Sequence, residues 1–147
     1  MAFKELAIAS DHRGFWLKKD LIEYFKSQGY CIKDLGTDSD CMSVDYPDYA
    51  KKVCDYVNCH KESFGILVCH TGVGMSISAN RFHGIRAVLC NTEDITKLSR
   101  EHNDANVLCL GAGFIDTESA IKCAHIFAKT EFSDERHLTR IRKIDAV

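Results

Sequence analysis

Phe64-Gly65-Ile66-Leu67-Val68-Cys69-His70-Thr71-Gly72-Val73-Gly74 is the stretch whose reading decides the fold. Residues 64–68 are apolar on consecutive positions, and the run stops at Cys69 and His70. A short run of that kind reads as a strand covered on both faces. The turn that follows contains two glycines and opens a helical segment over 73–82. Strand, glycine turn and helix in that order form the repeating unit of a parallel α/β sheet.

The same unit extends outward in both directions. Leu6-Ala7-Ile8-Ala9 reads as the first strand. Residues 14–28 carry Leu17, Leu21, Ile22 and Phe25 at helical spacing, with Gly29 as the stop. Residues 30–35 read as a second strand, followed by a loop over 36–46 rich in Asp and Ser. Pro47, the only proline, suits the first turn of a helix whose buried face carries Ala50, Val53, Cys54 and Val57. Beyond the central unit come a strand at 87–90, a helix at 93–102 and a strand at 107–110. A helix lined by Ala120, Ala124, Phe127 and Ala128 follows, then a polar helix from about Ser133. The expected architecture is a three-layer α/β/α sandwich around a five-stranded parallel, Rossmann-like sheet. It is expected as one domain over residues 1–147, without repeats or a low-complexity linker. The pattern does not reveal strand order.

Composition narrows the function classes. The formal net charge is −2, which provides no overall attraction for nucleic acid or a membrane surface. No 18-residue apolar run exists, so no transmembrane helix is expected. Met1-Ala2-Phe3-Lys4-Glu5 leads directly into a strand and lacks the regions of a secretory signal. The eight cysteines fall largely within buried-looking elements, which fits free thiols in a reducing, cytoplasmic compartment. No C-x2-C pair is present, and Cys54 and Cys59 fall on different faces of one helix, so no metal site is expected.

Ligands of open α/β sheets bind beyond the carboxyl ends of the strands. The out-of-place polar residues are Asp11-His12, Cys69-His70-Thr71 and His102-Asn103-Asp104, and these three segments are expected to converge at one sheet edge. Each has a plainer reading. Asp11 serves equally well as a helix N-cap. His102-Asn103-Asp104 alone reads better as a helix exit. Cys69 could be the last core residue of its strand. The Thr71-Gly72-Val73-Gly74 turn, however, points backbone N–H groups toward any bound anion, and a cysteine beside such a turn favours the thiolate. A thiolate there can act as a nucleophile or as a base on carbon. Cysteine phosphatases resemble C-x5-R, and the residue six after Cys69 is Met75. No Gly-Lys-Ser/Thr follows the turn, and no G-x-G-x-x-G follows the first strand, so neither nucleotide motif is present.

Several segments together resemble the type B ribose-5-phosphate isomerase family, which also includes galactose-6-phosphate isomerase subunits. They are Asp11-His12-Arg13-Gly14, Asp45-Tyr46-Pro47, 65–69 with 71–74, Ala79-Asn80-Arg81, Gly84-Ile85-Arg86-Ala87 and 99–108. The resemblance implies interconversion of ribose 5-phosphate and ribulose 5-phosphate without a metal or organic cofactor. It implies Cys69 as the base that moves a proton between C2 and C1, His102 in ring opening, and Thr71 in proton transfer at the sugar oxygens. Asp11, His12, Tyr46, His70, Gly72, Val73, Gly74 and Asn103 would contact substrate. Arg136 and Arg140, four apart on an expected helix, match the family's phosphate-binding arginines; without the resemblance they read as a solvated basic helix. The resemblance also implies a homodimer with its sites at the interface.

The chain departs from the family pattern at two positions. His70 stands where the family commonly has glycine, and Gly113 stands where it usually has a phosphate-binding arginine. Two other readings therefore stay open: a six-carbon substrate such as allose or galactose 6-phosphate, and a sugar-phosphate-binding homologue without turnover. Relative kcat/KM on five- and six-carbon phosphates separates the first, and substrate binding without turnover would identify the second.

Overall fold

The computed structural model describes residues 3–147. Five strands, β1 (Glu5–Ser10), β2 (Cys31–Asp34), β3 (Ser63–Cys69), β4 (Ala87–Leu89) and β5 (Val107–Gly111), form one sheet. All pair in parallel, in the order β2-β1-β3-β5-β4. Six helices accompany them: α1 (Phe15–Ser27), α2 (Tyr46–Cys59), α3 (Val73–Ala79), α4 (Glu93–Asn103), α5 (Thr117–Lys129) and α6 (Leu138–Asp145).

The expected three layers are present. On one face, Leu17, Leu21 and Phe25 of α1 and Ala120, Ala124 and Phe127 of α5 pack on Leu6, Ile8, Phe64, Ile66 and Leu108. On the other, Ala50, Val53 and Cys54 of α2 and Met75 and Ala79 of α3 pack on Ala7, Ala9, Leu67 and Cys109. Every residue of β3 is buried, as its unbroken apolar run requires. The second strand differs from its expected double cover. Residues Cys31, Lys33 and Asp34 of β2 are exposed, because β2 is the edge of the sheet and pairs only with β1.

Chain direction reverses between β1 and β3: the β1 connection leads outward to β2, and the chain then returns to β3 on the other side of β1. The carboxyl ends of β1 and β3 therefore flank the crevice where such sheets bind ligands. Asp11 and Cys69 stand at those two ends.

The last helix is interrupted. A single 3-10 turn spans Glu135–His137, and α6 begins only at Leu138. Arg136 therefore lies in the turn and Arg140 in the helix, rather than both on one α-helical face.

Candidate active site

Cys69 closes β3 and is 4% exposed. Its Sγ accepts a hydrogen bond from the Gly72 N–H at 3.1 Å. A donor aimed at sulphur stabilises a thiolate more than a neutral thiol. The bond requires the chain to turn back sharply, and Gly72 does so with φ +78°, a left-handed conformation that glycine adopts without a Cβ penalty. A Cβ at Gly72 would also lie 3.0 Å from the Leu110 carbonyl carbon and 3.1 Å from the Gly111 nitrogen. Thr71 Oγ1, exposed, accepts from the Val73 N–H at 3.2 Å and sets the first turn of α3.

Asp11 faces this turn from the end of β1. Its N–H donates to the Val68 carbonyl at 3.1 Å, which ties the two strand ends together. Its Oδ1 accepts from the N–H groups of Arg13 at 2.9 Å and Gly14 at 3.0 Å. Asp11 is thus an N-cap, and the same two bonds fix the direction of its carboxylate. His12 Nδ1 accepts from the Val44 N–H at 3.2 Å. That bond leaves the ring proton on Nε2 and holds the 36–45 loop beside the crevice. Tyr46, 38% exposed, opens α2. Its ring lies so close to Gly74 that a Cβ there would meet Cε1 at 2.6 Å. Val73, at the start of α3, is half exposed.

His70 is exposed beside Cys69, with its ring between Arg13 and Phe114. Asp11, His12, Tyr46, Cys69, His70, Thr71, Gly72, Val73 and Gly74 therefore share the carboxyl edge of the sheet.

The remaining expected residues do not. His102 and Asn103 end α4, ahead of β5, whose first residue Val107 pairs with Gly65 while Gly111 pairs with Cys69. They lie at the amino edge of the sheet, about 13 Å or more of strand from Cys69. The expected convergence of three segments at one edge of a single chain is corrected. An α4 that runs antiparallel to the strands must return its C-terminus to the amino edge, so residues just before a strand cannot join residues just after one.

At the amino edge a second cluster forms. The His102 ring stacks on His137 at 4.3 Å between centroids. Arg140 Nη1 lies 3.1 Å from His137 Nδ1, and Arg136 Nε lies 2.7 Å from Asp134 Oδ2. Burial and the nearby cations lower the His137 pKa, against the Asp134 carboxylate, which raises it. His137 and Asp134 were not singled out in the sequence. The available signal was a histidine one residue after Arg136 and three before Arg140. His102, Asp134 and His137 place possible ligand atoms within 4.8 Å of one another. Two guanidinium groups crowd the same ring, however, which suits an anion better than a metal cation. A nearby polar cleft of about 480 Å³ contains Arg86 and Arg100. Both are already bonded to carboxylates and carbonyls, including Asp145, Asp104 and Ala105.

The sequence matches the ribose/galactose isomerase family over residues 6–144. The chain belongs to that family. A putative sugar phosphate isomerase of Rickettsia conorii is 45% identical over 139 residues, 95% of this chain and 96% of that protein. The ribose 5-phosphate isomerase of Thermotoga maritima superposes with a TM-score of 0.94 at 49% identity, covering 97% of this chain and 98% of that one. The ribose-5-phosphate isomerase B of Mycoplasma genitalium, solved with bound ribulose-5-phosphate, gives a TM-score of 0.93 at 40% identity, covering 97% and 94%. Among the described residues no helix is long and apolar enough to cross a membrane.

Proposed function

We propose that this chain interconverts ribose 5-phosphate and ribulose 5-phosphate, with Cys69 as the base on carbon. The observation that carries the reading is the Cys69 thiol at the topological switch point, with the Gly72 N–H on its sulphur at 3.1 Å. Likeness to the isomerases above over nearly the whole chain supports the substrate.

The reaction begins with ring opening, assisted by His102 acting as proton donor and acceptor. The Cys69 thiolate removes the C2 proton of the open-chain aldose, and the electron pair forms the C1–C2 double bond of an enediolate as the carbonyl oxygen takes up negative charge. The same sulphur returns the proton to C1, while the proton on the C2 hydroxyl passes to the C1 oxygen with Thr71 assisting, so that the C2 carbonyl forms as the C1 hydroxyl is completed. Donors already in place lower the cost of the charge that develops on oxygen. Asp11, His12, Tyr46, Asn103 and the 72–74 turn hold the sugar, His70 contacts the substrate beside Cys69, and Arg136 and Arg140 hold the phosphate. No cofactor takes part in this scheme.

These roles call for two copies. His102, Asn103, Arg136 and Arg140 of one chain are at the wrong edge to serve its own Cys69, so a homodimer that sets one copy's amino-edge cluster against the other's carboxyl edge completes each site. Exposed Val73 and Ile77 on α3 support a second copy at that edge. The 1–147 segment acts as one domain in this assembly. Its eight free thiols support a cytoplasmic setting.

Isotope uptake tests the reading. Incubation of ribose 5-phosphate with the protein in heavy water should place deuterium on product carbon, and Cys69→Ala should abolish both uptake and turnover. Full activity in Cys69→Ala would remove the base assignment. Turnover of allose or galactose 6-phosphate at higher kcat/KM than ribose 5-phosphate would replace the substrate.

A further inference from the structure

His70 and Gly113 are interdependent. A Cβ on residue 113 would lie 2.7 Å from His70 Nδ1, 3.0 Å from Nε2 and closer still to Cε1. Any side chain at 113 would evict the imidazole. The backbone holds the two together: the Gly113 N–H donates to the His70 carbonyl at 2.9 Å, and the Ala112 N–H donates to the Cys69 carbonyl at 2.9 Å. Phe114 closes one side of the ring edge-on at 5.6 Å. On another, Arg13 Nη2 stands 3.5 Å from Nδ1.

Arginine only donates, so Nδ1 accepts and the ring proton sits on Nε2. Among the described residues no carboxylate pairs with the Arg13 guanidinium. An exposed guanidinium beside a ring held in one place, with a free N–H and no acid, is short of one component: an anion. The two side chains follow His12 and Cys69 directly in sequence, so that anion lies at the mouth of the thiol crevice.

We propose that Arg13 and His70, with the ring seated by Gly113, form an anion grip that binds the phosphate end of the sugar phosphate from the Cys69 side. The inference rests on the isomerase reading for the identity of the phosphate. Gly113 is a positioning residue, acting only through His70.

The test compares wild type, His70→Ala, Gly113→Ala and the double variant by two readouts: KM and kcat on ribose 5-phosphate, and calorimetric Kd for inorganic phosphate. His70→Ala and Gly113→Ala should each raise KM and the phosphate Kd by about ten-fold, the loss of one charge-assisted bond. The fall in kcat should be smaller than the rise in KM. The double variant should be no worse than His70→Ala, because an alanine at 113 has no ring left to displace. That comparison separates eviction of the ring from a folding fault at 113. Unchanged phosphate affinity in His70→Ala, or an equal penalty for Gly113→Ala with and without His70, would overturn the proposal. If wild type does not isomerise ribose 5-phosphate, the isomerase reading fails, and the phosphate affinities still decide the grip.

Discussion

Replacing Gly72 with alanine should damage stability and turnover together, and each amount can be worked from the geometry. The residue sits at φ +78°, and a left-handed backbone costs a residue with a Cβ roughly 1–2 kcal/mol. The new methyl would also press on Leu89, the Leu110 carbonyl carbon and the Gly111 nitrogen, an overpacking that costs about 1–3 kcal/mol. The sum is about 2–5 kcal/mol, a fall in Tm on the order of 10 °C for a chain of this size. Relief of the clash must move the turn, and with it the N–H that donates to Cys69 Sγ. Loss of a hydrogen bond to a charged group, about 1.5–3 kcal/mol, corresponds to a roughly ten- to hundred-fold drop in kcat. Gly29→Ala is the control. Gly29 has φ +84°, but its Cβ would meet nothing within 4 Å, so only the backbone cost of roughly 1–2 kcal/mol applies. Thermal melts followed by circular dichroism, with steady-state kinetics, measure both effects. A Gly72→Ala protein with the Tm of Gly29→Ala and wild-type kcat would refute the argument that the turn has no room and aims the N–H.

Other expectations follow from side chains away from the turn. Lys18, 1% exposed, donates to Asp34 Oδ1 at 2.7 Å; Asp34→Ala should cost about 1–3 kcal/mol in chemical denaturation, while Lys18→Met should cost less, because it leaves no buried charge unpaired. Arg100 is buried over the Phe3 and Phe127 rings and donates to the Thr130 carbonyl at 3.0 Å; Arg100→Lys keeps the charge but loses the planar fork, and a loss of about 2–3 kcal/mol is expected in the same assay. Cys31, Cys41 and Cys59 are exposed and should react first with a thiol reagent at pH 8, whereas burial pushes Cys54 up to about 12 and Cys109 upward as well; mass spectrometry of early time points reads the order. The His137 pKa is lowered in the folded protein, so the unfolded chain binds more protons below the ordinary histidine value, and stability from this group is lost as pH falls through that window; melts from pH 7.5 to 5 should show a slope that flattens in His137→Asn and in the presence of phosphate.

The layers were legible in the sequence because the strands are continuous apolar runs and the helices carry apolar residues at helical spacing. β3 is the clearest case, since each of its seven residues is buried. Exposure of β2 was hidden, because an edge position is a property of strand order and no local pattern encodes it. The carboxyl-edge half of the candidate site was legible for a physical reason: residues that directly follow a parallel strand must lie at its carboxyl end. The same rule misplaces His102, whose nearness to a strand in sequence is nearness to its beginning. Arg13 and the dependence of His70 on Gly113 were not legible. That dependence joins positions 43 residues apart through a Cβ that is absent, and only the ring's location reveals it.

The placement of the two clusters at opposite edges of one sheet has a genetic consequence. In the proposed homodimer each working centre draws its thiol from one copy and its His102 from the other. A Cys69→Ala chain and a His102→Ala chain would each be inactive alone. Mixed and allowed to exchange subunits, half of the pairs would join unlike chains. Each such pair has one centre carrying both lesions and one carrying neither, because the single two-fold interface of an isologous pair builds two equivalent centres. Two dead alleles would then restore about one quarter of wild-type centres, and harm at one end of the molecule would be rescued by an intact surface on its neighbour.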